Sequence, residues 1–188
     1  MNDDRSPAPP LPSALGDHRA AERLLGAALP AITLESTAGR VDLAALAADL
    51  LVLFVYPRAT GLPDAPVSNW DLIPGARGCT VQACSFRDYH DRLHELGAEL
   101  AGLSVQTVDE QRAFAVRVGL HYPLISDPTR QLASALNLPT FTASGKTFYR
   151  RLTLIARGRR IVKVFSPVLD PERNAADVHV WLESEPGG

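Results

Sequence analysis

The run LVLFVY at 51–56 is apolar at every position. Strict alternation would mark a strand with one face in water, whereas an unbroken apolar run of this length marks a strand covered on both faces. Upstream, Leu43 to Leu50, rich in Ala and Leu, reads as a short helix, and Ile32 to Leu34 as the start of an earlier strand. Downstream, Phe86, Tyr89, Leu93 and Leu96 recur at steps of three and four, the apolar face of a helix that Gly97 ends. Leu100 to Val105 reads as the next strand. Thr107 with Glu110 is a capping box opening a helix that carries Phe114 and Val118 and stops at Gly119. Further elements are a strand at Tyr122 to Ile125, a helix around Gln131 to Leu136, and strands Arg151 to Ile155 and Ile161 to Phe165 joined through Gly158. A last helix bears Val178, Trp181 and Leu182, and Asn174 can cap it. Strands alternating with helices and then ending in a hairpin predict an α/β fold, a three-layer sandwich around a mixed central sheet.

The 188 residues suit one domain and a tail. Four prolines between Pro7 and Pro12 predict that residues 1–25 form a disordered arm and that 26–185 form the domain. A net charge of -2 lacks the basic footprint of a nucleic-acid binder. No apolar run approaches the roughly 18 residues that cross a bilayer. The acidic first residues without an apolar stretch resemble neither a signal nor a transit peptide, which leads to the expectation of a cytoplasmic protein.

Two cysteines are too few for a disulfide-stapled scaffold, so their use is expected to be chemical. They lie in RGCTVQACSFRD at 77–88, with Cys79 at the junction of loop and helix and Cys84 a turn and a half further on. A thiol at a helix N-terminus faces unpaired N–H groups and the positive end of the helix dipole, which favour thiolate over thiol. Arg77 and Arg87 are expected to add to this. Cys84 feels less of the dipole, so one cysteine attacks and the other resolves; the competing reading is two small buried hydrophobic side chains. His90 and His94, four residues apart, could share a metal ion, but no third ligand is near in sequence and a solvated helix face is the preferred reading. His121 carries no motif. The absence of GxxxxGK[ST], GxGxxG and GxSxG argues against nucleotide and serine-hydrolase chemistry.

FVYPRAT followed by GARGCTVQACSFRD resembles the active-site region of the peroxiredoxins of the bacterioferritin-comigratory or Q type, which reads approximately F-Y-P-x-x-x-T-P-G-C-T-x-E-A-C-x-F-R-D. ELGAELAGLSV, FAVRVGLHYPLISDPTRQLASALNL and RLTLIARGRRIVKVF continue the likeness in order, over about residues 30 to 183. The resemblance implies a thioredoxin-like fold, with Cys79 matching the peroxidatic cysteine, Cys84 the resolving cysteine and Pro57 the proline that shields the thiolate. Arg151 matches the family arginine, with Arg150 as the alternative. It further implies a thiol-dependent peroxidase that reduces hydrogen peroxide and organic hydroperoxides through a sulfenic acid and an intramolecular disulfide. Thioredoxin or a similar dithiol would recycle it, with no metal or organic cofactor, as a monomer or weak homodimer.

The chain departs from the pattern before Cys79. The family threonine three residues earlier is Ala76 here, and about residues 61–76 look inserted. The hydroxyl that would bond the peroxide is assigned to Thr60, with Thr80, Ser68 or no hydroxyl at all as alternatives; the insertion, with Pro63, Pro66, Trp70 and Pro74, is expected to form an ordered surface flap. Two rival functions remain at this level. One is a thiol–disulfide oxidoreductase or redox sensor, which the lack of C-x-x-C disfavours. The other is a non-catalytic binding module of the same fold.

Overall fold

The computed structural model describes residues 21–59, 67 and 70–185. Thr60, Ser68 and half of the inserted segment lie outside these residues, as does most of the N-terminal arm. Seven strands form one mixed sheet in the order β2-β1-β5-β4-β3-β8-β9: β1 (Thr33–Ser36), β2 (Gly39–Asp42), β3 (Leu50–Val55), β4 (Ala98–Ser104), β5 (Leu124–Ser126), β8 (Leu152–Arg157) and β9 (Arg160–Phe165). β3, β4 and β5 run parallel, while β8 pairs antiparallel with β3, Val55 opposite Leu152 and Leu50 opposite Arg157. The strand expected at 51–56 is thus central, and all six residues of β3 are buried.

Its side chains divide between two cores, since successive residues of a strand point to opposite faces. Leu51, Leu53 and Val55 face a layer with Leu43 of α1 (Leu43–Leu46), Leu132 of α4 (Gln131–Leu136) and Tyr149. Val52 and Phe54 face α2 (Cys79–Glu95), α3 (Val108–Val118) and α5 (Asn174–Ser184) through Phe86, Phe114 and Val178. Phe54 and Phe86 stack with centroids 4.6 Å apart. The three layers match the expectation. Gly102 of β4 lets this face close: a Cβ there would stand 2.6 Å from Phe54 Cζ and 2.8 Å from Leu124 Cδ2.

Local signals also hold. Thr107 Oγ1 accepts from the Glu110 N–H while Glu110 Oε2 accepts from the Thr107 N–H, and Gly119 ends α3 with φ +66. Two expectations are corrected and one element is new. The helix expected over Leu43 to Leu50 stops at Leu46, because Leu50 already pairs in the sheet. Asn174 does not cap α5; Arg173 holds that position, and Asn174 is buried inside the first turn. A separate hairpin, β6 (Thr140–Ala143) and β7 (Lys146–Tyr149), was not read from the sequence. Its turn is Ser144-Gly145, both with positive φ, the two-residue geometry suited to the strand twist. Among the described residues no helix is long and apolar enough to cross a membrane.

Candidate active site

Cys79 is the first residue of α2 and is 4% exposed. Gly78 precedes it with φ +92, and a Cβ at that position would stand 2.8 Å from Pro171 Cγ, so backbone conformation and space both demand glycine. An α-helix leaves its first N–H groups without intrahelical acceptors. The earliest closed turn here is Gln82 N–H to Gly78 O, 3.0 Å, so Cys79 sits in the open first turn of the helix.

The arginine that reaches this sulfur is Arg151, immediately before β8. Its Nη2 donates to Cys79 Sγ at 3.1 Å and to the carbonyl oxygens of Arg77 at 2.7 Å and Gly75 at 3.3 Å. The thiol in turn is 3.6 Å from the Ala76 carbonyl oxygen. Arg150 stands elsewhere, its guanidinium over the Phe141 ring and its N–H on Pro139 O.

Gln82, Asn174 and Thr153 complete a buried network that sequence reasoning missed. Arg151 Nη1 donates to Gln82 Oε1, Gln82 Nε2 donates to Asn174 Oδ1 at 2.9 Å, and Thr153 Oγ1 donates to the same oxygen at 2.7 Å. All four side chains are buried. A usable signal existed: Gln82 continues the 86, 89, 93 stripe one turn back, and Asn174 lies one turn before Val178, so both are polar residues on apolar faces. The Q-type pattern has Glu where this chain has Gln82, so Arg151 receives a neutral acceptor here instead of a carboxylate.

Pro57, Arg58 and Ala59 are buried in the loop after β3. Gln106 pins this loop, since its Oε1 accepts from the Ala59 N–H at 2.7 Å and its Nε2 donates to Ala59 O at 3.2 Å. Arg58 lies over Trp70, which packs edge-on against Phe148. Arg58, Trp70, Ala76, Cys79 and Thr80 line a concavity of about 240 Å³. Trp70, from the segment read as an insertion, therefore walls the space beside the thiol. Burial pushes the Tyr56 phenol well above the usual tyrosine range, so it stays neutral behind Cys79.

The two basic neighbours expected to assist Cys79 do other work. Arg77 extends to Asp71, 3.3 Å away, and only its carbonyl meets Arg151. Arg87 pairs with Asp88 and donates to Val118 O at 2.6 Å. Cys84 is half-buried on α2, and both cysteines are free thiols.

A model of the family described as Redoxin matches residues 24–179. The chloroplastic peroxiredoxin Q of Sedum lineare is 26% identical over 163 residues, spanning 85% of this chain and 77% of that protein. Peroxiredoxin bcp1 of Schizosaccharomyces pombe is 32% identical over 140 residues, 72% of this chain and 62% of its own. Peroxidoxin BcpB from Mycobacterium tuberculosis superposes with a TM-score of 0.71 at 26% identity, covering 87% of this chain and 98% of that one.

Proposed function

The chain belongs to the Redoxin family and is a thiol-dependent peroxidase of the Q type with a thioredoxin-like fold, and on that premise we propose the roles of its residues. The Cys79 thiolate attacks one oxygen of the peroxide. The S–O bond forms as the O–O bond breaks, the departing oxygen takes a proton and leaves as water or alcohol, and Cys79 becomes a sulfenic acid. Cys84 then attacks the Cys79 sulfur, expelling water and closing an intramolecular disulfide. An external dithiol, thioredoxin or a similar protein, restores both thiols by exchange.

The observation that carries this reading is the 3.1 Å contact from Arg151 to the Cys79 sulfur at an open helix end. A guanidinium fixed in this way puts a positive charge beside the attacking sulfur. It also faces the negative charge that develops on the leaving oxygen, and it does so without reorganising, because Gln82 and two carbonyls already hold it. Pro57 is proposed to keep water from the sulfur, and Thr60 to supply the hydroxyl for the peroxide. Arg58 and Trp70 are the further residues we assign to the pocket wall. The cycle needs a reduced dithiol pool, so the proposed working compartment is a reducing one, the cytoplasm. The proposed arrangement is a domain over 26–185, preceded by a Pro-rich arm and working as a monomer or weak homodimer.

Exchange without peroxide turnover and a non-catalytic module are not favoured, given relatives named as peroxiredoxins. Consumption of hydrogen peroxide and of an organic hydroperoxide, coupled to thioredoxin and its reductase, tests the reading. Turnover with at least one of the two is expected, and none with any dithiol overturns it.

A further inference from the structure

His90 and His94 lack a third ligand in sequence, but folding supplies one. The loop between Gly119 and β5 brings His121 against α2, and the His90 and His121 rings meet nearly edge to face with centroids 4.5 Å apart. Asp91 completes the group, its Oδ1 3.2 Å from His90 Nδ1. Ligand atoms of His90, Asp91 and His121 all lie within 4.8 Å of one another. His94 stays outside, its ring parallel to that of His90 at 6.3 Å.

We propose that His90, Asp91 and His121 form a binding site for a borderline divalent d-block cation, Zn2+ above all, distinct from the thiol centre. Two imidazoles and a carboxylate are the donor set such ions accept, and three protein ligands leave a fourth position for water. Metal–ligand bonds of about 2.0–2.2 Å give tetrahedral ligand–ligand edges of roughly 3.3–3.6 Å. The His90–Asp91 separation of 3.2 Å is already close to that length, and no separation need close by more than about 1.5 Å to reach it. The groups that would move are free to do so: His121 is exposed and the Asp91 side chain is 94% exposed. His90, only 27% exposed, is the fixed member, because its ring lies parallel to Tyr122, whose hydroxyl donates to Ala83 O at 2.8 Å. The cationic neighbours are engaged elsewhere, Arg87 with Asp88 and Arg92 over the Tyr89 ring. A bound ion would tie the C-terminal half of α2 to the segment before β5 and stabilise the folded chain by mass action.

Calorimetric titration of the reduced full-length protein with Zn2+ tests the site, with the Cys79→Ser, Cys84→Ser double variant separating it from the thiols. One saturable ion per chain is expected in both proteins. His121→Ala and His90→Ala should each weaken it about tenfold or more, since even residues behind a ligand have effects of that size. His94→Ala should leave it intact. No saturable binding, binding indifferent to His121→Ala, binding abolished by His94→Ala, or loss of the ion in the double cysteine variant would each overturn the proposal.

Discussion

Arg151 Nη2 stands 3.1 Å from Cys79 Sγ although 72 residues separate the two in the chain. The arginine is 4% exposed and its hydrogen bonds hold it before any substrate arrives, so the contribution proposed for it is preorganised electrostatics. Arg151→Ala is therefore expected to slow the first peroxide step by about 2.7–4 kcal/mol, the range for removing one oxyanion donor. Arg150→Ala should change that step little. Stopped-flow mixing with peroxide measures both, and an interchange of the two effects would move the role to Arg150.

Cys79→Ser should abolish peroxide reduction, because a hydroxyl is far less ionised than a thiol at a helix terminus and much the poorer nucleophile. Cys84→Ser should consume about one peroxide per chain and stop at a trappable sulfenic acid, having no partner for a disulfide. Single-turnover kinetics with a sulfenic-acid probe separate the two. Equal first-turnover rates in wild type and Cys79→Ser would refute the assignment.

Gln82 couples this chemistry to stability. Truncation to Ala would leave Arg151 Nη1 and Asn174 Oδ1 short of partners inside the protein and open a cavity. A loss of roughly 2–4 kcal/mol in denaturant unfolding is expected. Gln82→Glu keeps an acceptor for Arg151 while losing the donor to Asn174 Oδ1, and it should react more slowly with peroxide, since a buried carboxylate would compete with the thiolate for the guanidinium charge. A Gln82→Glu enzyme as fast as wild type would show that this neutral acceptor does not matter.

Periodicity and capping made the central strand, α3 and the position of Cys79 legible, because each depends on residues close in sequence. Arg151 was reached only through the resemblance, since its contact with Cys79 joins residues 72 apart in the chain and no local pattern tells it from Arg150. The Gln82–Asn174–Thr153 network and the approach of His121 to His90 are contacts between elements far apart in the chain, and no local pattern encodes them. The β6–β7 hairpin was missed for a different reason. Its strands are four residues each, alternate weakly, and announce themselves only by Ser144-Gly145.

Alkaline pH should unfold the protein by a definable route. Burial raises the Tyr56, Tyr122 and Tyr149 phenols above the ordinary tyrosine value of 10.0. The folded state thus retains protons that the unfolded chain releases. Stability from these groups is fully present below pH 10 and falls as pH rises beyond it toward the folded-state values. Tyr56→Phe removes one such group, so its stability should decline above that pH less steeply than that of wild type, by about 1.4 kcal/mol per pH unit. Urea unfolding across the alkaline range gives the slopes, and identical slopes would exclude Tyr56 as a contributor.

The resolving step requires motion. Cys79 and Cys84 both lie within the continuous helix α2, where five residues rise about 7.5 Å and place the Cα atoms roughly 8–9 Å apart. A disulfide needs Cα atoms within about 7 Å, so the first turns of α2 must unwind once the sulfenic acid forms. The structure identifies what is released and what stays. Gly78, already at φ +92, is the hinge at one end. At the other, Phe86 is fully buried against Phe54 and anchors the rest of the helix. Between them the bonds lost include Gln82 N–H to Gly78 O, Gln82 to Arg151, and Ser85 Oγ to Glu172 O at 2.6 Å. Unwinding would withdraw Cys79 from Arg151 and from the helix end together, so the oxidised enzyme is expected to give up its peroxide pocket as it presents the disulfide to a reductant. Amide exchange over residues 78–86 is expected to be faster in the disulfide form than in the dithiol form, with the sheet strands unchanged. Equal protection in the two forms would mean that the cysteines join without opening the helix, and the proposed order of events would fall with it.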